Sequence, residues 1–435
     1  MCNTIKILII SDTPWDDNNS FGSSFSNIFD DNPNYEISNI YCQFGLPNTK
    51  VCKHFFQITE KGIVKTLLGK QPFSGKQIFH SKKEDLSGTI FSNKETKYIN
   101  KLKGLRWQLF FWIRDLIWGT GKWKSKNLED FITDFQPDLI FLPIYYSSYL
   151  NTIGLYAKEI SKVKMVGFIS DDCYTLNHFS LSPLFWIDRF IKRQYVKKAI
   201  DQCEILYTIT ETQKKEYDVI FGNKCKVLSK GGVFDDFLHK KTTLNNPIKL
   251  LYTGNLGMSR WKSLEKIGEA LKIINNNGLK AQLYIYSQTP LSLATMRKLQ
   301  IENSVYFMGG IPASKVKDIQ RAADILVHVE SFKLSERNSA RLSFSTKIVD
   351  YLEAGRCIVA VGWKKTGAIE YLIENNAAIV ITDVNQIYSQ LSNLINDEKL
   401  ILDYAVKGFE LGKKNHQLEK IRKGLYDDLV YVVNK

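Results

Sequence analysis

The stretch FSTKIVDYLEAGRCIVAVG, residues 344–362, contains a polar turn, a short helix, a glycine stop and a buried strand. Ser345 or Thr346 is predicted to cap the helix, because a short side-chain oxygen can accept hydrogen bonds from the first N–H groups of a helix. Gly355 stands where a helix usually ends in the left-handed conformation. The apolar run from Cys357 to Val361 is typical of a central strand in a parallel sheet. This order of elements predicts an α/β fold.

The start of this helix can also bind a phosphate. Unpaired N–H groups and the positive end of the helix dipole attract anions there, and Lys347 adds a cation. Asp350, one turn further along, can accept hydrogen bonds from a ribose. An ordinary helix–strand unit with a solvated Lys347–Asp350 pair explains the same residues. On this stretch alone both interpretations stay open.

The length and composition predict a globular protein of two domains. The 435 residues exceed one ordinary core and suit two domains of roughly 200 residues each. No apolar run reaches about 18 residues, so we expect no membrane-spanning helix. The first residues, MCNTIKILIISDT, predict a strand and not a signal peptide. The seven scattered cysteines and six dispersed histidines predict reduced thiols in a cytoplasmic protein and no metal site.

Positive charge is concentrated between residues 50 and 126. This window contains 17 Lys and Arg but 5 Asp and Glu, whereas the net charge of the whole chain is +14. Within it, residues 100–126 intersperse four tryptophans with basic residues, and apolar residues recur there at helical spacing. This pattern is typical of a helix on an anionic membrane surface. A helix buried between the sheet and the second domain also fits, whereas nucleic acid is disfavoured because no other nucleic-acid signature is present.

Strands and helices alternate along most of the chain, which favours two doubly wound parallel sheets. Strands are predicted near residues 5–11, 138–143, 164–170, 204–210, 248–255, 281–287, 305–310, 324–330, 357–362 and 377–383. Residues 50–99 are predicted as loops and short irregular elements. The polar stretch 239–246 predicts a linker. We therefore expect an N-terminal domain in 1–240, a C-terminal domain in 241–415 and a final helix in 416–435.

Two places in the N-terminal half lie where parallel sheets usually carry their sites, beyond the carboxyl ends of strands. Gly22 lies in the loop after the first strand, before a helix expected to start near Ser23 or Ser24. Asp171 and Asp172 follow the strand near 164–170. A carboxylate there can take a proton or hold a hydroxyl group, and it can equally cap the next turn.

The segments YTGNLGMSRWKSL (252–264), SVYFMGGIPASKV (304–316) and FSTKIVDYLEAGRCIVAVG (344–362) occur in a recognisable order and spacing. Together they resemble bacterial GT-B glycosyltransferases, in particular the family-4-like enzymes (glycosyl transferases group 1) of cell-surface polysaccharide biosynthesis. The N-terminal half is less similar, and the resemblance there rests on the first strand with Gly22 and on ITETQKKEY and LSKGG before the linker. The resemblance implies two Rossmann-like domains that face a central cleft.

The resemblance also implies a donor site in the C-terminal domain. Gly254 would let the backbone approach the donor diphosphate, and Arg260 would bind the phosphates, with Lys262 as a nearby substitute. Asn255 stands where many relatives carry arginine, so Lys347 would supply the missing cation. The loop that reads the nucleobase would be formed by Gly309, Gly310 and Ile311.

The ribose contact departs from the family pattern. Asp350 stands in place of the second of two glutamates separated by seven residues, the one that binds ribose hydroxyls. The first glutamate would fall at Leu342, which cannot do this. Glu330 or Glu336, in the preceding loop, is the expected substitute. Asp171 and Glu330 are the predicted catalytic residues, with Gly22 and Asp172 on the acceptor side.

The implied function is sugar transfer from a UDP- or GDP-type nucleotide-diphosphate sugar to a hydroxyl acceptor, with retention at the anomeric carbon. The basic, tryptophan-rich segment fits a lipid-linked glycan at the inner face of the cell membrane, in capsule, O-antigen or exopolysaccharide assembly. No metal is required if cations and a helix start stabilise the leaving diphosphate. A non-catalytic nucleotide-sugar-binding subunit and a sugar-nucleotide epimerase are the alternatives.

Overall fold

The computed structural model describes residues 4–30, 32–79, 108–235 and 241–435. The described strands form two separate sheets, one of eight strands and one of six. In the first strand of the chain, Ile7 and Ile9 pack into one core while Leu8 and Ile10 pack into another. Both faces of the sheet are therefore covered, which explains why its central strands are continuous apolar runs. The predicted architecture, two parallel α/β domains, is confirmed.

The first sheet belongs to the N-terminal half. Its strands are β1 (Ile5–Ser11), β2 (Tyr35–Tyr41), β3 (His54–Gln57), β4 (Lys76–Ile78), β5 (Leu139–Pro143), β6 (Lys164–Ile169), β7 (Ile205–Thr208) and β8 (Cys225–Val227). The helices are α1 (Ser20–Phe29), α2 (Glu60–Leu67), α3 (Gln108–Thr120), α4 (Lys126–Phe135), α5 (Ser148–Ser161), α6 (Pro183–Asp201) and α7 (Glu211–Phe221). The strand order is β4-β3-β2-β1-β5-β6-β7-β8, with β3 and β4 antiparallel and the other neighbours parallel.

The second sheet is parallel throughout, in the order β11-β10-β9-β12-β13-β14. Its strands are β9 (Ile248–Thr253), β10 (Ala281–Tyr286), β11 (Val305–Gly309), β12 (Ile325–Val329), β13 (Cys357–Val361) and β14 (Ile379–Ile381). The helices are α8 (Arg260–Ile274), α9 (Leu293–Lys298), α10 (Ala313–Ala322), α11 (Leu334–Ser339), α12 (Lys347–Ala354), α13 (Gly367–Glu374), α14 (Ile387–Ile395), α15 (Glu398–Asn415) and α16 (Leu418–Asn434). Strand order reverses between β9 and β12, as it does between β1 and β5 in the first sheet. Ligands of open α/β sheets bind at such switch points.

The last helix, α16, returns to the first sheet although it follows the second one in sequence. Leu425, Leu429 and Val432 join the core beneath β1 and β5. Asp428 accepts a hydrogen bond from the Tyr207 hydroxyl at 3.1 Å and pairs with Lys226 at 2.5 Å. The predicted final helix is therefore present, and it ties the end of the chain to the N-terminal domain.

Two expectations for the basic window need correction or restriction. Residues 50–79 are not irregular, because β3, α2 and β4 lie there and extend the sheet at its edge. Their alternation is short and interrupted by lysines, which hides it in the sequence. Residues 80–107, which include Trp107 and the start of the tryptophan-rich segment, lie outside the described residues. So do Cys2 and residues 236–240, the last two of which belong to the predicted linker.

The described part of the tryptophan-rich segment is α3 and the residues after it. Trp118 is buried and stacks on the Tyr149 ring at 4.2 Å between centroids. Trp123 is also buried, edge-on to Tyr156. The opposite side of α3 is exposed and apolar. The main contacts of α3 are with α2, α5 and α6, so it is buried on one side within the N-terminal domain and not between the sheet and the second domain. Membrane contact of its exposed side stays a prediction.

Candidate functional site

The second switch point brings Gly254 and Lys347 into contact. Gly254 follows β9 directly and has φ of +145°, which favours glycine. A Cβ built there would lie 2.1 Å from Lys347 Nζ. Lys347 is the first residue of α12, and its ammonium lies over the Tyr252 ring at 4.9 Å. The absence of a side chain at Gly254 therefore leaves the Lys347 ammonium room against the backbone beyond β9.

The start of α12 differs from the prediction in one detail. Neither Ser345 nor Thr346 caps the helix through its side chain, because Thr346 already has helical backbone angles. The first turn is instead closed by the Ser345 and Thr346 carbonyls, which accept from the N–H groups of Ile348 and Val349. The helix ends as predicted at Gly355, which has φ of 61°. Both hydroxyls thus lie at the helix start without serving as caps.

Arg260 forms the second cation of the site. It is the first residue of α8, and its Nε and Nη2 atoms donate to Glu330 Oε2 at 3.1 and 2.9 Å. Glu330 follows β12, and its other oxygen lies 3.3 Å from His328 Nε2. Burial alone would raise the pKa of Glu330, but His328 and Arg260 outweigh it and lower the pKa to about 2. Glu330 is therefore a permanent carboxylate that orients Arg260, and it is no proton donor near neutral pH.

The charges at this switch point are unbalanced. Burial and the neighbouring Arg260 charge lower the pKa of Lys347 to about 8. Glu330 pairs with Arg260, and within the described residues Lys347 Nζ forms neither an ion pair nor a hydrogen bond. Two like charges held together cost free energy unless an anion joins them. The geometry therefore favours binding of an anion beside Gly254.

The remaining donor-side residues lie around this point. Asn255 Oδ1 accepts from the Gly257 N–H at 2.5 Å and so stabilises the glycine turn before α8. Lys262 is exposed and lies over the Trp261 ring. Glu336 accepts from the hydroxyls of Ser259 and Ser331, at 3.1 and 2.6 Å. Gly309 is the last residue of β11, and Gly310 and Ile311 begin the loop that follows. A Cβ at Gly310 would lie 2.8 Å from Gln288 Cγ.

Asp350 is held by the opposite domain. Its carboxylate pairs with Lys230 at 2.5 Å, and both side chains are about one-fifth exposed. Lys230 belongs to the SKGG segment that follows β8. The predicted ribose carboxylate therefore faces the cleft but is paired across it in this structure.

The loop before α12 fastens the two domains to each other. Leu342 is fully buried in the core of the N-terminal domain, although it belongs to the C-terminal half. Arg341 pairs with Glu216, and the Ser343 hydroxyl donates to Asp171 at 2.6 Å. The position that the family pattern gives to the first glutamate thus serves as an apolar anchor between domains.

The two neighbouring aspartates after β6 differ. Asp171 is exposed at the cleft, whereas Asp172 is buried. Asp172 accepts from the N–H groups of Tyr174 and Thr175 at 3.2 and 2.8 Å, and it also contacts Arg189. Both of its oxygens take part in contacts inside the domain, so the turn-cap interpretation explains it. The predicted acceptor-side role of Asp172 is left without support.

Gly22 has a local reason to be glycine. It lies in the first turn of α1, which begins at Ser20 and not at Ser23 or Ser24. Its N–H donates to Asn19 Oδ1 at 2.7 Å, and a Cβ would lie 2.1 Å from the Asp16 carbonyl oxygen. The close approach at Gly22 is thus to the β1–α1 loop itself.

A cluster around Asp12, at the first switch point, was missed from the sequence. Asp12 follows β1 and accepts from the Tyr149 hydroxyl at 2.7 Å and from Gln43 Nε2 at 2.6 Å. The pKa of the half-buried Tyr145, after β5, is raised by desolvation and by the negative charges of Asp12 and Asp171. The signal available was the position of a carboxylate directly after the first buried strand.

Three further findings concern metal ligands, membrane-spanning helices and cysteines in the described residues. Within them no three His, Cys, Asp or Glu side chains gather as a metal site would require. None of the described helices has the combination of length and apolar content needed to cross a bilayer. The described cysteines are buried and unpaired.

Solved structures agree with this architecture. HepE of Anabaena, in complex with UDP, superposes with a TM-score of 0.62 at 12% identity, over 98% of this chain and 100% of that one. Sucrose-phosphate synthase from Thermosynechococcus elongatus gives a TM-score of 0.62 at 11% identity, over 98% and 99%. The trehalose-6-phosphate structure from E. coli, bound with UDP-2-fluoro glucose, gives 0.56 at 10% identity, over 98% of each chain. At these identities the likeness shows the fold, which is that of the GT-B glycosyltransferases.

A family model matches the second domain. Residues 247–397 match the family model described as "Glycosyl transferases group 1". Among curated proteins, no sequence matches the chain. The resemblance to the group 1 glycosyltransferases is confirmed over residues 247–397, and the fold of the chain is that of the GT-B glycosyltransferases.

Proposed function

We propose that the protein transfers a sugar from a nucleotide-diphosphate sugar to a hydroxyl acceptor, with the donor bound at the second switch point. The observation that carries this proposal is the convergence of Lys347 and Arg260 beside Gly254, with one carboxylate to balance them. A donor diphosphate supplies the missing negative charge. The match of residues 247–397 to the group 1 family supports the same function.

The mechanism follows from the charge that develops on the leaving nucleoside diphosphate. Lys347 and Arg260 are held in place before the reaction, Arg260 by Glu330 and Lys347 by the start of α12. Such preorganised charges need no reorganisation when the glycosidic bond breaks, and they are often the largest catalytic term. The helix start adds its dipole to the same point. Because these groups can stabilise the leaving group, we propose transfer without a metal. Retention at the anomeric carbon is proposed from the resemblance to the family.

A UDP-type donor is proposed ahead of a GDP-type donor. HepE has been solved with UDP and with UDP-glucose, and the E. coli structure carries a UDP sugar. Gly309, Gly310 and Ile311 would contact the base, and Asp350 would exchange its partner Lys230 for the ribose hydroxyls. Glu330 acts by positioning Arg260.

The acceptor hydroxyl would lie at the first switch point, between Asp12 and Asp171. Both carboxylates are close enough to Tyr145 to raise its pKa. We propose a lipid-linked glycan as acceptor, in surface polysaccharide assembly, because the basic segment 100–126 lies in this domain. Contact of that segment with the inner membrane face belongs to the same proposal.

Donor affinity is expected to fall above about pH 8. A phosphate bound beside Lys347 raises the pKa of its ammonium from the value of about 8 in the free protein. The contribution of the Lys347 ammonium to UDP affinity is therefore fully present below pH 8. It is lost as the pH rises through the pKa of the complex, and for one proton the association constant falls by up to about tenfold per pH unit. Calorimetry of UDP binding between pH 7 and 9.5 measures this slope. An equal slope in Lys347→Met would contradict the assignment.

Asp171→Asn is expected to lower turnover about 10²-fold while the dissociation constant of UDP stays unchanged, because the carboxylate acts on the acceptor and not on the donor. Asp172→Asn should instead lower the melting temperature, since its oxygens hold the 172–175 turn. Steady-state kinetics, UDP titration and thermal unfolding of both variants separate the two roles. Weaker UDP binding in Asp171→Asn would place this residue on the donor side.

The function is tested by thermal unfolding with UDP, GDP, CDP, dTDP and their common sugars, followed by a transfer assay with the donor found. A ligand that binds only the folded state raises the melting temperature by mass action. We expect a shift with UDP ligands and transfer to a polyprenyl-linked glycan. Binding without turnover toward any hydroxyl acceptor would support the non-catalytic alternative, and conversion of the sugar nucleotide itself would support the epimerase.

A further inference from the structure

The polarity of α3 and of the first half of α6 is reversed relative to a helix in water. On α6, the charged residues Asp188, Arg189 and Lys192 are each 3% exposed, whereas Phe190 and Ile191 are each 50% exposed. A helix at a protein surface normally buries its apolar stripe and exposes its charges. In the first half of α6 the outer side is thus apolar and the inner side is charged, whereas the second half buries Val196, Ala199 and Ile200 in the usual way.

The same reversal occurs on α3. Leu109, Ile113 and Leu116 follow one another at helical spacing and are exposed, Leu116 to 64%. Asp115, between them, points inward, where it accepts from the Ser148 hydroxyl at 2.6 Å. One reversed helix could be an accident of packing, but two in contact with each other form a continuous surface.

The inward-facing charged residues pair with one another at the seam, which is the contact between α3 and α6. Both helices also pack on α5. Trp112 Nε1 donates to Asp188 Oδ1 at 3.0 Å, and Lys192 Nζ lies 3.2 Å from Asp188 and 3.5 Å from Asp115. Since these charges are paired at the seam, the outer face carries none of them. We call this outer face the apolar platform; its residues are Leu109, Ile113, Leu116, Ile187, Phe190 and Ile191.

The segments next to the apolar platform are rich in basic residues. Residues 59–79 and 108–126 hold eight Lys and Arg but two Asp and Glu. Among these, Lys65 and Lys70 lie on or just after α2, which contacts α3, and Lys122 follows α3; all three are exposed. A broad apolar face with basic segments beside it matches the acyl layer and the headgroup layer of an anionic membrane.

We propose that the apolar platform docks on an anionic lipid bilayer, with α6 as well as α3 in contact with lipid. This proposal adds α6 to the membrane-contacting segment predicted from the sequence, and in that way it deepens the proposed function. It rests on the proposed function for the identity of the acceptor. Trp118 of α3 stacks on Tyr149, whose hydroxyl donates to Asp12. A membrane on the apolar platform would therefore lie one helix away from the proposed acceptor end of the cleft.

The test is co-sedimentation of the full chain with vesicles of phosphatidylcholine and phosphatidylglycerol (about 70:30) and with pure phosphatidylcholine vesicles, at low and high salt. Ile187→Ser/Ile191→Ser should reduce the partition coefficient at least tenfold. The matched control is Val219→Ser/Ile220→Ser, which removes two exposed apolar residues from α7, and it should sediment as the wild type does. Equal melting temperatures show that both double variants fold.

Absence of wild-type binding to the anionic vesicles, or equal loss in both double variants, would overturn the proposal. Equal binding to neutral vesicles at high salt would overturn the anionic character of the surface. A wild-type dimer that Ile187→Ser/Ile191→Ser dissociates would assign the apolar platform to a second copy of the chain. UDP binding, measured on the same samples, fails only if the proposed donor site is wrong, so the two proposals are tested separately.

Discussion

Replacing Lys347 with methionine is expected to weaken UDP binding about 10- to 100-fold and to lower turnover about 10²- to 10³-fold. The ammonium is held at the backbone beyond β9, where a Cβ on Gly254 would lie 2.1 Å from it. In a half-buried site a charge-assisted contact to phosphate is stronger than in water, and it strengthens as charge builds on the leaving group. Turnover should therefore fall more than affinity. Isothermal calorimetry and initial-rate kinetics measure the two quantities.

The control for Lys347→Met is Lys399→Met, which removes an exposed lysine at the start of α15. It should leave both quantities unchanged. Because burial and Arg260 already lower the pKa of Lys347, its loss relieves repulsion, and the melting temperature should not decrease. Wild-type UDP affinity in Lys347→Met would refute the phosphate assignment, whatever the effect on stability.

Replacing Arg260 with methionine is expected to have two separable effects. Turnover should fall about 10²-fold, because one of the two cations at the leaving diphosphate is lost. Stability should also fall, by about 1 to 3 kcal/mol, because Glu330 stays buried without its cation. His328, 3.3 Å from Glu330, limits this cost if it takes up a proton. Denaturant unfolding and initial-rate kinetics measure the two effects.

The double variant Arg260→Met/Glu330→Gln separates catalysis from stability. A neutral amide at position 330 needs no cation, so the free energy of unfolding should return toward the wild-type value. Turnover should remain as low as in Arg260→Met, because the cation is still absent. Recovery of turnover together with stability would mean that Arg260 acts only by supporting the fold.

Of the proposed donor site, Lys347 and the helix start were predicted from local sequence, whereas Gly254 and Arg260 were implied by the resemblance to the family. Gly254, Arg260 and Lys347 each adjoin a strand or helix end, and the helix–glycine–strand pattern of residues 344–362 marks one of those ends. In parallel sheets such ends converge on one edge, so residues far apart in sequence can be expected together. The side-chain cap at α12 was predicted wrongly, because the backbone of Thr346 enters the helix one residue early.

The acceptor side was less predictable. Asp171 and Asp172 look equivalent in sequence, yet one is exposed and the other is held by Tyr174, Thr175 and Arg189. No sequence motif pointed to Asp12. Its role as a candidate depends on Tyr149 and Gln43, which come from other elements. Long-range hydrogen bonds of this kind leave no periodic pattern in the chain.

The sequence by itself determined the alternation of buried strands and helices, and with it two parallel sheets and the ends at which their ligands bind, because these depend on local apolar periodicity. Only the tertiary structure decided which charges are paired. Lys230 with Asp350, Arg260 with Glu330, and the anchor Leu342 all join residues separated by long stretches of chain. The tertiary structure also decided that the first half of α6 turns its charges inward, since the direction in which a helix faces depends on what packs against it.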